Sequence, residues 1–229
     1  MDPAHYLKIL AAEGYTAVSV DYSLGPDAVY PTAVRQLNDA LRHLVGNAAS
    51  LGVDPDRIVL AGDSAGAQLA SQLAAPAVNP ELAGLLDLKP SLRPEQLRGT
   101  LLHCGIYDLR AMSSLHGVAA WGFKHALWAS TGTRPWSQTF AGATMSTVDF
   151  VTPDFPPAFV SGGNDDPLTW MQSVPFAARL RQVGVATTTL FWAAGHEPAL
   201  PHEYQFHLDL PDAGVALTAT LEFLARVTS

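Results

Sequence analysis

The residues with the clearest chemical potential are Gly62-Asp63-Ser64-Ala65-Gly66, a G-x-S-x-G pentapeptide. It follows the apolar run Arg57-Ile58-Val59-Leu60-Ala61-Gly62 and precedes Ala67, Leu69, Ala70 and Leu73, which carry small and apolar residues at helical spacing. A serine on a sharp strand-to-helix turn is held exposed, with the positive end of the helix beneath it. The expected chemistry is nucleophilic attack by Ser64, with the Ala65 backbone N–H donating to a developing oxyanion. Such a turn tolerates no bulk, and side chains at Gly62 or Gly66 are expected to clash across it.

A serine hydroxyl is a poor nucleophile until a base takes its proton, so a histidine and an orienting carboxylate must follow. In a strand–turn–helix setting of this kind they come in the order Ser, acid, His, on loops after later strands. One loop, Gly163-Asn164-Asp165-Asp166-Pro167-Leu168, follows the strand-like Pro157–Gly162 and offers two aspartates that spacing does not separate. Another follows Thr187–Trp192 and offers His196 and His202. His5, His43, His103, His116, His125 and His207 fall on helices, strands or a helical excursion, where surface or satisfied core roles are the ordinary ones.

The elements that must position these groups alternate. The pattern predicts a helix over Ala4–Glu13 closed by Gly14, then a strand over Thr16–Tyr22. Val34, Leu37, Leu41, Leu44 and Val45 place an apolar stripe on a helix started by Pro31 and ended by Gly46 or Gly52. Strands follow at Arg57–Gly62, Gly99–Cys104, Pro157–Gly162 and Thr187–Trp192, with a helix near Thr169–Val183 and a last one carrying Leu217, Leu221 and Leu224. Alternating strands and helices predict an α/β fold on a parallel sheet. Met112–Phe150 contains no strand but holds Trp121, Phe123, Trp128, Trp136 and Phe140. It reads either as an aromatic-stapled excursion on the core or as a helical cap over an apolar cleft. One domain spanning 1–229, with this insertion, is the expected organisation.

Composition bounds the functions. At 229 residues, 48% apolar and 15% charged, the chain can bury a sizeable core. A net charge of −8 and pI near 5.3 argue against nucleic acid or an anionic membrane as the main partner. The lone Cys104 excludes an intrachain disulfide and a cysteine-based zinc cluster. Met1-Asp2-Pro3 lacks a basic leader and no apolar run is long enough to span a bilayer, so a cytoplasmic location is expected.

Together these segments resemble the hormone-sensitive lipase family of α/β-hydrolases, in its bacterial carboxylesterase branch. Val20-Asp21-Tyr22-Ser23-Leu24-Gly25-Pro26 with Tyr30-Pro31 is similar to that family's D-Y-R-L-A-P…F-P segment, and the G-D-S-A-G motif is unchanged at 62–66. Asp166-Pro167-Leu168 matches its D-P-L, so the resemblance assigns the acid to Asp166. His202-Glu203-Tyr204-Gln205-Phe206 stands in for an H-G-F-like element, with Phe223 and Leu224 lying 21 and 22 positions on, whereas His196-Glu197-Pro198 fits poorly. The resemblance therefore prefers His202 as base.

One family element is missing from the sequence: an H-G-G-G motif whose glycine N–H groups complete the oxyanion hole. The resemblance implies that the N-terminal strands, including an interior one between Thr16–Tyr22 and Arg57–Gly62, are missing too. It also implies that Ala65 is left as the oxyanion donor, a loss worth about 10²–10³ in rate. The ladder groups so exposed need a shifted Thr16–Tyr22 strand, another chain or self-association. The implied function is a serine carboxylesterase acting on short- to medium-chain acyl esters, a small-molecule substrate, with no metal or organic cofactor. Its rivals are a weak or silent hydrolase-fold chain, and an amidase or peptidase using the same three residues.

Overall fold

The computed structural model describes residues 3–115 and 117–229, so Met1, Asp2 and His116 lie outside the described residues. The first helix, α1 (Pro3–Ala12), is followed by Gly14 at φ +93°. Next come α2 (Thr32–Gly46) and the single turn α3 (Ala48–Leu51). Then β1 (Ile58–Asp63) leads through Ser64 into α4 (Ala65–Val78) and the short α5 (Pro80–Leu85). After β2 (Leu97–His103) the chain makes α6 (Gly117–Thr131) and α7 (Phe140–Thr144). The last part is β3 (Ala158–Gly162), α8 (Val174–Gln182), β4 (Thr187–Phe191) and α9 (Pro211–Thr228).

The four strands form one sheet in the order β1-β2-β3-β4, every pair parallel. Their side chains alternate between two buried faces, as period-two geometry requires. Leu60, Leu102 and Val160 enter one cluster with Ala67, Ala70, Phe176 and Leu180 of α4 and α8. Val59, Leu101 and Phe159 face the opposite way, onto Tyr6 and Leu10 of α1 and Phe223 and Leu224 of α9. The small residues of α4, with Ala67 and Ala74 fully buried, let that helix lie close against the sheet.

Thr16–Tyr22 is not a strand. It runs as irregular chain, tied by the Thr16 hydroxyl to the Gly52 carbonyl at 2.6 Å. Its β-type composition is real, but a strand exists only through its ladder, and among the described residues none is offered. β1 accordingly lies at one edge of the sheet, and Thr16–Tyr22 does not shift across to pair with it.

The expected helix near Thr169–Val183 is divided: a π-helical turn, Thr169–Ser173, precedes α8. The Met112–Phe150 stretch contains no strand. Trp136 is buried there with Leu109, Met112, Leu127 and Leu168, whereas Trp121 and Phe140 are half or more exposed. Because Leu168 belongs to the Asp166 loop, this cluster packs directly against one of the candidate site segments. Among the described residues no helix is long and apolar enough to cross a membrane.

Candidate active site

Ser64 sits between the last residue of β1 and the first of α4, with φ 51° and ψ −118°. A non-glycine residue pays about 1–3 kcal/mol for such a backbone, so its surroundings must hold it there. Two contacts do so: the Ser64 N–H donates to the His103 carbonyl at 2.9 Å, and the Gln68 N–H donates to the Ser64 carbonyl at 3.2 Å. Gly62 is indispensable, because a Cβ on it would overlap the Gly66 backbone. Gly66 differs from expectation: a Cβ there would meet only the Asp63 carboxylate, at 3.8 Å. The crowding is one-sided, since the chain presses Gly66's backbone onto Gly62 and leaves Gly66's own Cβ direction open. Ala65 opens α4, and the N–H groups of a helix's first turn lack intrahelical acceptors.

The other groups arrive on loops beyond β3 and β4. Asp166 is 2% exposed, and its two oxygens are divided. Oδ1 accepts the Leu168 N–H at 2.9 Å, while Oδ2 lies 2.8 Å from His202 Nδ1. His202 Nε2 in turn lies 3.0 Å from Ser64 Oγ. Asp165 is exposed and contributes only its N–H, to the Leu200 carbonyl at 3.0 Å. His196 is turned away, with Nε2 3.1 Å from Asp212 Oδ1 in the first turn of α9 and its ring 4.4 Å from that of Trp192. The fold thus brings Ser64, Asp166 and His202 together and leaves Asp165 and His196 aside.

The electrostatics follow from burial and these contacts. Burial opposes the imidazolium of His202, but the hydrogen bond to Asp166, then the Cys104 side chain, outweigh it and raise the pKa above 6.5. Burial first, then hydrogen bonding and repulsion from Glu203, raise the Asp63 carboxyl. Glu203 also places Oε1 3.6 Å from His202 Nε2. Burial lowers His103 to about 4, leaving it neutral across the physiological range.

Cys104, Asp166 and His202 offer ligand atoms within 4.8 Å of one another. By donor type they would suit a zinc-like cation, but both His202 nitrogens are committed, to Asp166 and to Ser64. Capturing an ion would mean breaking one of those bonds. A hollow of about 600 Å³ among Leu97, Pro157, Thr187 and Phe223 lies at the opposite, N-terminal end of the strands.

Three contributors escaped the sequence reading. Asn164 clasps the two loops: its Oδ1 accepts the Leu200 N–H at 2.8 Å and its Nδ2 donates to the His196 carbonyl at 3.0 Å. Gly163 leaves room for the Leu200 backbone, and a Cβ would overlap it. Gln205, three positions after His202, is completely buried against Ser161 and Cys104. Gly163-Asn164 reads as ordinary turn composition, and the only signal for Gln205 was a polar residue next to the aromatic pair Tyr204 and Phe206.

With this geometry in place, comparison with known proteins defines the class: a family model described as alpha/beta hydrolase fold matches residues 3–200, and the chain belongs to that family. Among its relatives, the esterase LipQ of Mycobacterium tuberculosis is 30% identical over 183 residues, 77% of this chain and 40% of that protein. Hormone-sensitive lipase of Homo sapiens is 45% identical over 65 residues, 28% of this chain and 6% of that protein. The chain therefore spans well under two thirds of these relatives. The crystal structure of esterase B from Lactobacillus Rhamnosis superposes with a TM-score of 0.82 at 24% identity, covering 98% of this chain and 70% of that one. At that identity the superposition speaks for the fold alone.

Proposed function

We propose that this chain is a serine carboxylesterase of the hormone-sensitive lipase type, cleaving short- to medium-chain acyl esters through Ser64, His202 and Asp166. The observation that carries the reading is the unbroken run from Asp166 Oδ2 to His202 Nδ1 at 2.8 Å and from His202 Nε2 to Ser64 Oγ at 3.0 Å. These groups come from the carboxyl ends of β3, β4 and β1, where open α/β sheets assemble their sites. The names carried by LipQ and hormone-sensitive lipase support an ester as substrate.

In this reading His202 takes the Ser64 proton as Oγ attacks the ester carbonyl. The imidazolium that forms is stabilised by buried Asp166, which stays ionised and keeps Nδ1 protonated. The Ala65 N–H donates to the oxyanion of the tetrahedral intermediate. His202 then protonates the departing alkoxide, leaving an acyl-Ser64, and activates the water that hydrolyses it.

The test pairs a p-nitrophenyl ester with the matching anilide. Ester turnover with an acylation burst is expected, falling by about 10⁴ or more in Ser64→Ala. Ester turnover that survives this substitution overturns the assignment, and faster anilide cleavage replaces the esterase by an amidase. Labelling of Ser64 by a fluorophosphonate reports assembly of the three groups even when turnover is slow.

A further inference from the structure

His202 sits on a loop, and a loop must be held to place an imidazole within a few tenths of an ångström of two partners. Three positions beyond it, in the short 3₁₀ turn Tyr204–Phe206, lies Gln205, with no exposed surface. Its Nε2 donates to Ser161 Oγ at 2.9 Å, and its carboxamide lies 3.4 Å from Cys104 Sγ. Ser161 Oγ is 2.7 Å from His103 Nδ1. His103 is neutral here, so its Nδ1 donates to the Ser161 hydroxyl in one tautomer and accepts from it in the other. In either tautomer Gln205 Nε2 donates to Ser161 Oγ, and both ends of its carboxamide lie against Cys104 Sγ.

The same residues hold the other parts of the site. The His103 carbonyl accepts the Ser64 N–H at 2.9 Å, and the Cys104 N–H donates to the Ser161 carbonyl at 2.9 Å. Ser161 is the penultimate residue of β3, whose end carries the Asp166 loop. A methionine would fill the space of Gln205 without the cost of burying an amide, about 1–3 kcal/mol when unpaired. The carboxamide therefore earns its place through direction rather than burial.

We propose that Gln205 is a positioning residue: its carboxamide fastens the His202 loop to the carboxyl ends of β2 and β3 and so sets the imidazole against Asp166 and Ser64. The inference deepens the esterase reading and rests on it for its kinetic consequence. Between His202 and Gln205 the chain turns sharply at Glu203, φ 62°, and runs straight into the Tyr204–Phe206 turn that carries the amide.

The test compares the wild-type chain with Gln205→Met, Ser161→Ala and the double variant. Three readouts are taken: kcat and KM on a p-nitrophenyl ester, the His202 ring titration by NMR, and thermal melting. Loosening the loop should lower kcat by about 10–100-fold with KM little changed, the scale expected of a misplacement near 1 Å. It should also bring the His202 titration down toward the ordinary 6.5, because the Asp166 contact weakens. The double variant should lose no more than the worse single one.

An unshifted His202 titration in folded Gln205→Met, or unchanged kcat, overturns the proposal. If Gln205→Met does not fold, Ser161→Ala, which takes one hydroxyl from both Gln205 and His103, is read in the same way, with His103→Asn as the control for the second contact. A wild-type chain without ester turnover defeats the esterase reading, and the titration then still decides whether Gln205 sets the imidazole.

Discussion

The backbone of Leu200 lies directly over Gly163, so close that a Cβ on the glycine would overlap the Leu200 carbonyl and approach the Pro201 carbonyl at 2.9 Å. This is where the Asp166 loop and the His202 loop touch. Gly163→Ala must push one backbone off the other, at about 1–3 kcal/mol. Gly195→Ala, in the same His202 loop but with nothing within 4 Å of its Cβ position, is the control. The alanine at 163 is expected to lower both the melting temperature and kcat, and the alanine at 195 neither.

Asn164 tests the same junction from its side chain. Asn164→Ala removes bonds to Leu200 N–H and the His196 carbonyl, each worth about 0.5–1.5 kcal/mol net. Chemical denaturation should show a loss of about 1–3 kcal/mol at an unchanged denaturant slope. Ester turnover should fall with it.

The hydrogen bond from His202 to Asp166 sets a pH profile. The base must be neutral to act, and its folded pKa is raised, so kcat/KM should climb with pH to an inflection above 6.5. The linked stability is fully present below 6.5 and is lost as pH rises through the folded pKa. Asp166→Asn should move the inflection down and lower kcat by about 10⁴. An inflection unmoved by that substitution would show that another group titrates.

His196 and His202 make opposite forecasts. His196 pairs with Asp212 at 3.1 Å and is separated from Ser64, so His196→Ala should leave kcat within about threefold while costing at most about 1 kcal/mol. His202→Ala should remove ester turnover to the level of Ser64→Ala. Reversal of the two results would exchange the residues' roles.

Buried His103 gives the chain an acid weakness. Its folded pKa of about 4 lies below the unfolded 6.5, so the unfolded chain binds the extra proton first. Stability should fall as pH drops from 6.5 toward 4, by up to about 3 kcal/mol. His103→Asn should flatten that slope in denaturation curves recorded across this range.

The alternation of strands and helices was legible because its signals are local: short apolar runs such as Leu101-Leu102 and Phe159-Val160 for strands, and apolar spacings of three and four for helices. Thr16–Tyr22 misled for the complementary reason. Its composition suits a strand, but pairing is a property of a neighbour, and that segment's sequence is silent about one. Gly62 and Gly66 look equivalent in G-x-S-x-G, and only the path of the turn shows which Cβ would collide.

By itself the sequence determined a Ser64 elbow, a parallel α/β sheet and two loops holding the candidate acid and base, since all three are patterns of residues close in the chain. Spacing left Asp165 beside Asp166 and His196 beside His202, and only the family resemblance preferred Asp166 and His202. Tertiary structure decided which of them meet Ser64, burying Asp166 against His202 while exposing Asp165 and turning His196 onto Asp212. It also placed Asn164, Gly163 and Gln205 at the seams between segments. Those contacts join residues tens of positions apart, and their geometry comes into being only when the sheet brings the loop ends together.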